Sequence, residues 1–179
     1  MTILGIGNVL QKDDGLGVYA SIYMKRNYDF SKAVNVINGG VEGINLFNIF
    51  AQEKTILILD TIHLDDTPGS IYNIPSHELS GHGLNSGGAH EIGVLQCIDM
   101  LELQGKPVPD TTILGMVPQH VTFDMALSPV VEKAFDGYIE VLLKHLEKHG
   151  ISTIPKRKPV SLQEIINRAK DPSGAMAGG

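Results

Sequence analysis

The sequence predicts an α/β fold: a three-layer α/β/α sandwich around a mostly parallel sheet of about five strands, with one antiparallel edge strand. Three observations lead there. Short apolar runs alternate with longer segments of helical periodicity along most of the chain, the pattern of strands joined by crossover helices. The run KTILILD (54–60) is apolar at successive positions, as a strand covered on both faces must be. The stretch from there to SIYNI (70–74) is too short for a crossover helix and contains a Pro-Gly turn, so this strand should run antiparallel at an edge.

The other elements follow in order. TILGIG (2–7) is an apolar run closed by glycines and reads as a buried strand. GLGVYASIYMKRNY (15–28) carries Leu16, Val18, Ile22 and Met24 and suits a helix packed on that strand. AVNVIN (33–38) is a second strand, and GGVEGINLFNIFAQ (39–52) spaces Ile44, Leu46, Phe47 and Phe50 almost helically. SHELSGHGLNSGG (76–88) is a long, polar, glycine-rich loop. HEIGVLQCIDMLELQ (90–104) returns to helical periodicity, and TTILGMV (111–117) is another buried strand. SPVVEKAFDGYIEVLLKHLEKHG (128–150) is a long helix, with Ser128 as N-cap, Pro129 at the first helical position and Gly150 as the stop. SLQE (161–164) is a capping box that opens a short amphipathic helix carrying Leu162, Ile165 and Ile166. DPSGAMAGG (171–179) should be disordered. The chain thus divides into an α/β domain over 1–150 and an extension over 151–179 with a short helix and a flexible end.

A length of 179 residues suits one domain whose core needs no disulfide. The formal net charge of -6 argues against nonspecific binding to nucleic acid or anionic membranes, which requires a basic surface. The single cysteine, Cys97, excludes an internal disulfide and lies in a helical apolar pattern, so it reads as core. The first residues lack a basic signal-peptide region, and no run approaches the roughly 20 apolar residues of a membrane span. A soluble cytoplasmic protein is expected.

The opening motif GIGNVLQKDDGLGV (5–18) resembles a nucleotide loop but fails its rules. Leu10 stands where the third glycine of a dinucleotide fingerprint belongs, and no lysine followed by Ser or Thr completes a P-loop. Asp13 and Asp14 would also repel phosphate. Taken alone, acids at a helix start complement its dipole by about 0.3–1 kcal/mol each. Asp60 changes the weighing, because it sets a carboxylate at the mouth of a buried strand, where burial is costly without a cation or donors. Ligands of open parallel sheets sit beyond the carboxyl ends of the strands. Asp13, Asp14 and Asp60 fall there, and His90, which begins a helix after the long loop, could face the same edge. A receiver-like phosphoacceptor signalling domain would use such acids, Asp13, Asp14 and Asp60, to hold magnesium. Against it, NVLQK separates the acid pair from its strand, and Pro118 stands where such domains need a lysine.

Taken together, GIGNVLQKDDGLGV, NGGVEGINL (38–46), ILILDTI (56–62), GAHEIGV (88–94), GMVP (115–118) and LSPVVEKAF (127–135) resemble, in order and spacing, the nickel–iron hydrogenase maturation proteases. The resemblance spans about residues 2–150. It implies an endopeptidase, sometimes grouped with aspartic peptidases, that removes a C-terminal extension from the hydrogenase large-subunit precursor after nickel insertion. It also implies two acids and a histidine presented to that nickel. The second acid of the opening pair is Asp14, the acid closing the third strand is Asp60, and the histidine opening the helix after the long loop is His90.

Carboxylate and imidazole suit divalent first-row ions. A three-ligand set with open positions suits a group that touches a metal belonging to the substrate and releases it, whereas structural zinc sites are closed by four ligands. No permanent cofactor is expected, only the nickel of the substrate, with other divalent ions able to substitute in vitro. Attack by water would be aided by a carboxylate base or by the metal as Lewis acid, and no covalent acyl-enzyme is expected. A monomer fits a protein that must embrace a large partner. The family often carries Asp-Gly-Gly-Thr after the second strand, where this chain has Asn38, Gly39, Gly40 and Val41; Asn38 cannot supply charge. Of the other histidines, His63, His77 and His82 read as solvated loop residues, and His120 is a candidate for lining the cleft. His145 and His149, near the end of the long helix, would suit its dipole. Asp13 reads as a helix-end or supporting residue.

Overall fold

The computed structural model describes residues 1–79 and 89–171, and side chains at all of these except 79 and 89–92. The predicted loop tip at 80–88, with His82, and the predicted disordered end at 172–179 lie outside the described residues.

Five strands form the main sheet: β1 (Thr2–Ile6), β3 (Asn35–Gly40), β4 (Thr55–Thr61), β5 (Ile71–Pro75) and β6 (Asp110–Met116), in the order β3-β1-β4-β6-β5. β1 runs parallel to β3 and β4, and β4 parallel to β6. β5 lies antiparallel to β6 at the edge, as the short connection required. Helices α1 (Leu16–Asn27), α5 (Pro129–Lys148) and α6 (Leu162–Lys170) pack on one face, over Ile3, Leu57, Leu59, Leu114 and Met116. Helices α2 (Phe47–Gln52) and α4 (Ala89–Leu103) cover the other, over Leu4, Ile6, Ile56, Ile58 and Ile113, and a one-turn helix α3 (Ser76–Leu79) stands where the expected loop over 76–88 begins. Successive strand residues feed opposite cores, which is why these strands are apolar without alternation.

The long helix begins as predicted. Ser128 is its N-cap, its hydroxyl accepting from the Val131 N–H at 3.4 Å, and Pro129 opens the first turn. The capping box of α6 also forms: Ser161 N–H donates to Glu164 Oε2 at 3.0 Å, and Glu164 N–H to Ser161 Oγ at 3.2 Å.

The helix expected over 39–52 is largely replaced. β3 runs on through Gly40, a 3₁₀ turn covers Gly43–Leu46, and α2 keeps only six residues. Gly40 and Gly43 both take left-handed backbone angles, φ 50° and 52°, which an α-helix cannot contain. Two three-residue strands escaped the sequence altogether: β2 (Tyr28–Phe30) and β7 (Thr153–Pro155) pair antiparallel as a separate ribbon. That ribbon begins to tie the extension to the body. Asn27 completes the tie, its side chain donating to Val160 O at 2.9 Å and accepting from Val160 N–H at 2.6 Å. Ile165 and Ile166 of α6 are buried in the core shared with α1.

The chain leaves β1 for β3 on one side, and β4 leads to β6 on the other. The carboxyl ends of β1 and β4 are therefore the topological switch point, where a crevice opens for ligands.

Candidate functional site

The opening loop folds back over its own strand. Gly7 takes φ 130°, and a Cβ there would lie 1.9 Å from Asp14 O, so only glycine allows the return. Asn8 Oδ1 accepts from Leu10 N–H at 3.0 Å, and Lys12 adopts a left-handed φ of 52°. That turn sends the two aspartates to different partners.

Asp13 is fully buried. Its Oδ2 accepts from the backbone N–H groups of Gln119 and His120, each at 2.9 Å, and its Oδ1 accepts from Ser128 N–H at 2.5 Å. The same two segments also meet through Lys12 N–H to Asp124 O at 2.7 Å and Asp124 N–H to Leu10 O at 3.0 Å. Asp13 is thus a staple joining the opening loop to residues 119–128, and its charge complements the start of α5. Asp13→Asn replaces one acceptor oxygen by a donor and removes the charge. It should cost about 3 kcal/mol of unfolding free energy, measured by urea denaturation; a loss below about 1 kcal/mol would refute the staple.

Asp14 turns toward β4. Its Oδ2 accepts from Asn8 N–H at 2.9 Å, and Thr61 Oγ1 lies 3.5 Å from its Oδ1. Asp60 is 2% exposed and its Oδ1 accepts from Thr61 N–H at 2.8 Å. Thr61 therefore touches both carboxylates, one through its hydroxyl and one through its backbone. Asp60 shares strand parity with Ile56 and Ile58, the face covered by α2 and α4. The start of α4, whose first turn includes His90, lies beside the loop that follows β3 at the same sheet edge. Its distance from the loop after β3 is set by two glycines: a Cβ on Gly93 would lie 2.7 Å from Gly43 Cα. The His90 side chain is outside the described residues.

A cleft of about 300 Å³ opens beside the opening loop, lined by Asn8, Leu10, Tyr19, Asn38, Val41 and Ala169, among others. Asn38 turns its side chain on its own loop, Oδ1 accepting from Gly40 N–H at 3.1 Å. Among the described residues, no group of three His, Cys, Asp or Glu side chains is gathered as a metal site. His120 is exposed, and its N–H serves Asp13. His63 is half-buried just beyond β4, and His77 is exposed beside Glu78. Cys97 is buried in the core.

His145 departs from expectation. It is buried at the far end of α5, stacked on His149 at 4.5 Å, and burial with the neighbouring His149 lowers its pKa to about 4. It is neutral near pH 7 and contributes no charge to the helix dipole. The contacts of Thr61 and of residues 119 and 120 with the aspartates were not marked by the sequence. Thr61 follows a strand acid like any strand residue, and the acceptor role of Asp13 links positions more than a hundred residues apart.

The hydrogenase maturation protease (HycI) family model matches residues 18–145. The chain belongs to the hydrogenase maturation proteases. The protease is 25% identical over 155 residues to the hydrogenase 2 maturation protease of Escherichia coli, covering 86% of this chain and 94% of that protein. Its fold superposes on the Escherichia coli maturating endopeptidase HybD with a TM-score of 0.79, at 25% identity, over 87% of this chain and 96% of that one. It is also similar to the NiFe hydrogenase maturation protease HybD of Thermococcus kodakarensis, with a TM-score of 0.65 and 26% identity, over 80% and 97% of the two chains. The protease is a peptidase, and its fold is the predicted α/β sandwich with one antiparallel edge strand. The phosphoacceptor alternative gives way to this membership. No helix among the described residues is long and apolar enough to cross a membrane.

Proposed function

We propose that the protein removes the C-terminal extension of a nickel–iron hydrogenase large-subunit precursor once nickel has been inserted. In this reading Asp14, Asp60 and His90 contact the nickel of the substrate. The observation that carries it is the convergence of Asp14 and Asp60 on Thr61 at the switch point of a family member's sheet. Two carboxylates at one strand end favour a divalent cation, which the partner would supply. An imidazole from the first turn of α4 would complete an O,O,N set suited to nickel.

Docking on the metal would fix the precursor's tail relative to the enzyme, so that orientation supplies much of the rate. Water is the nucleophile in this reading, activated by a carboxylate or by the nickel. The enzyme acts in the cytoplasm as a monomer and keeps no metal of its own.

The test is processing of purified precursor with and without nickel. Loaded precursor should be shortened and nickel-free precursor left intact, read by mass spectrometry. Equal cleavage of both would overturn recognition through nickel.

A further inference from the structure

The loops around the switch point expose more apolar surface than the chemistry of the two aspartates requires. Leu10 is 44% exposed, Val41 60%, Val121 40% and Phe123 87%, and Ile44 is also open to solvent. The loops that carry Leu10, Val41 and Phe123 adjoin. Leu10 and Val41 share the cleft beside the opening loop. The Leu10 backbone is bonded to Asp124, next to Phe123. Gly7 N–H donates to Gly40 O at 3.0 Å, which holds Val41 against the opening loop. Ile44 follows in the 3₁₀ turn over Gly43–Leu46.

A phenylalanine so exposed costs solvation, yet its segment is held by the buried Asp13 staple and the Asp124 backbone pair. A rigid loop presenting an aromatic side chain to water is the form of an interface anchor. The charge around it is mostly negative. Glu42, Asp65, Asp66 and Asp124 are exposed on the loops of this edge, and Lys12 is the single Lys or Arg in 7–15, 40–46, 61–70 and 117–128.

We propose that this apolar, acid-rimmed platform docks a segment of the precursor in which apolar side chains lie next to Lys or Arg. Leu10, Val41 and Phe123 take the apolar side chains, and Glu42 and Asp124 face the basic ones. The inference rests on the proposed function for the identity of the partner. The platform sets affinity, while the aspartates at the switch point act on the metal.

The test measures binding of purified nickel-loaded precursor by calorimetry, alongside processing. Phe123→Ser should weaken binding and raise KM by about 10-fold with kcat kept. Leu103→Ser, which alters an 88% exposed leucine at the far end of α4, should change neither. Replacing both Glu42 and Asp124 by lysine should weaken binding at low salt, and the difference from the parent should shrink as salt is raised. If the parent cleaves precursor and Phe123→Ser binds it as the parent does, the platform is overturned and the function stands. If the parent binds precursor through Phe123 but does not cleave it, the proposed function falls and the platform stands. Loss of binding in Leu103→Ser equal to that in Phe123→Ser would also overturn the platform. Circular dichroism of each variant confirms that it is folded.

Discussion

Asp60→Asn is expected to leave the protein folded and to reduce processing of nickel-loaded precursor by about 100-fold or more. Asparagine keeps the shape of the side chain and the oxygen that accepts from Thr61 N–H. It removes the negative charge that makes this group a good ligand for a divalent ion. Altering residues that merely support metal ligands costs about 10–100-fold, so loss of a ligand should lie at or beyond the upper end. The buried position makes the stability arm informative. An ionised carboxylate here carries a desolvation cost that an amide does not. The unfolding free energy should stay within about 1 kcal/mol of the parent. Normal processing by a folded Asp60→Asn protein would remove this residue from the site.

Gly17→Ala is expected to prevent stable folding. A Cβ at Gly17 would lie 2.0 Å from Leu59 O and 2.4 Å from Ile6 O. Carbon and carbonyl oxygen approach no closer than about 3.3 Å in ordinary contacts. Both obstacles are backbone atoms of central strands and cannot rotate away. The first turn of α1 would have to lift from the sheet by more than about 1 Å, opening the core beneath it. The loss should exceed about 4 kcal/mol, the range reserved for severe packing failures, and should appear as insoluble protein or a collapsed urea midpoint. Gly105→Ala supplies the control. That residue has φ 62°, but nothing beyond its chain neighbours lies within 4 Å of the point where its methyl group would sit, so only backbone strain of about 1–2 kcal/mol applies. Comparable losses in the two variants would refute the steric argument.

The elements that could be read from the sequence share a physical property: their signal is local. KTILILD and TTILGMV announce buried strands because both faces are covered, and α5 carries its own cap, proline and stop. β2 and β7 could not be read, since three residues show no period and their pairing spans more than a hundred positions. The segment over 39–52 misled because its apolar spacing is real, while Gly40 and Gly43 break the helix at its start.

That Asp14 and Asp60 lie at the carboxyl ends of β1 and β4 could be read from the strand ends. The division of labour within the aspartate pair could not. It depends on which backbone N–H groups the fold brings to Asp13.

Asp13 and Asp14 are chemically identical and adjacent, yet one charge is consumed by the fold and the other is kept at the switch point. What separates them is a count of residues. The return at Gly7 and the left-handed turn at Lys12 decide which carboxylate faces which way. Inserting one residue between them would carry Asp13 to the switch point and leave Lys12 at the staple, and deleting one would carry Asp14 to the staple and leave Gly15 at the switch point. The length of this loop, more than its lettering, encodes which aspartate faces the end of β4.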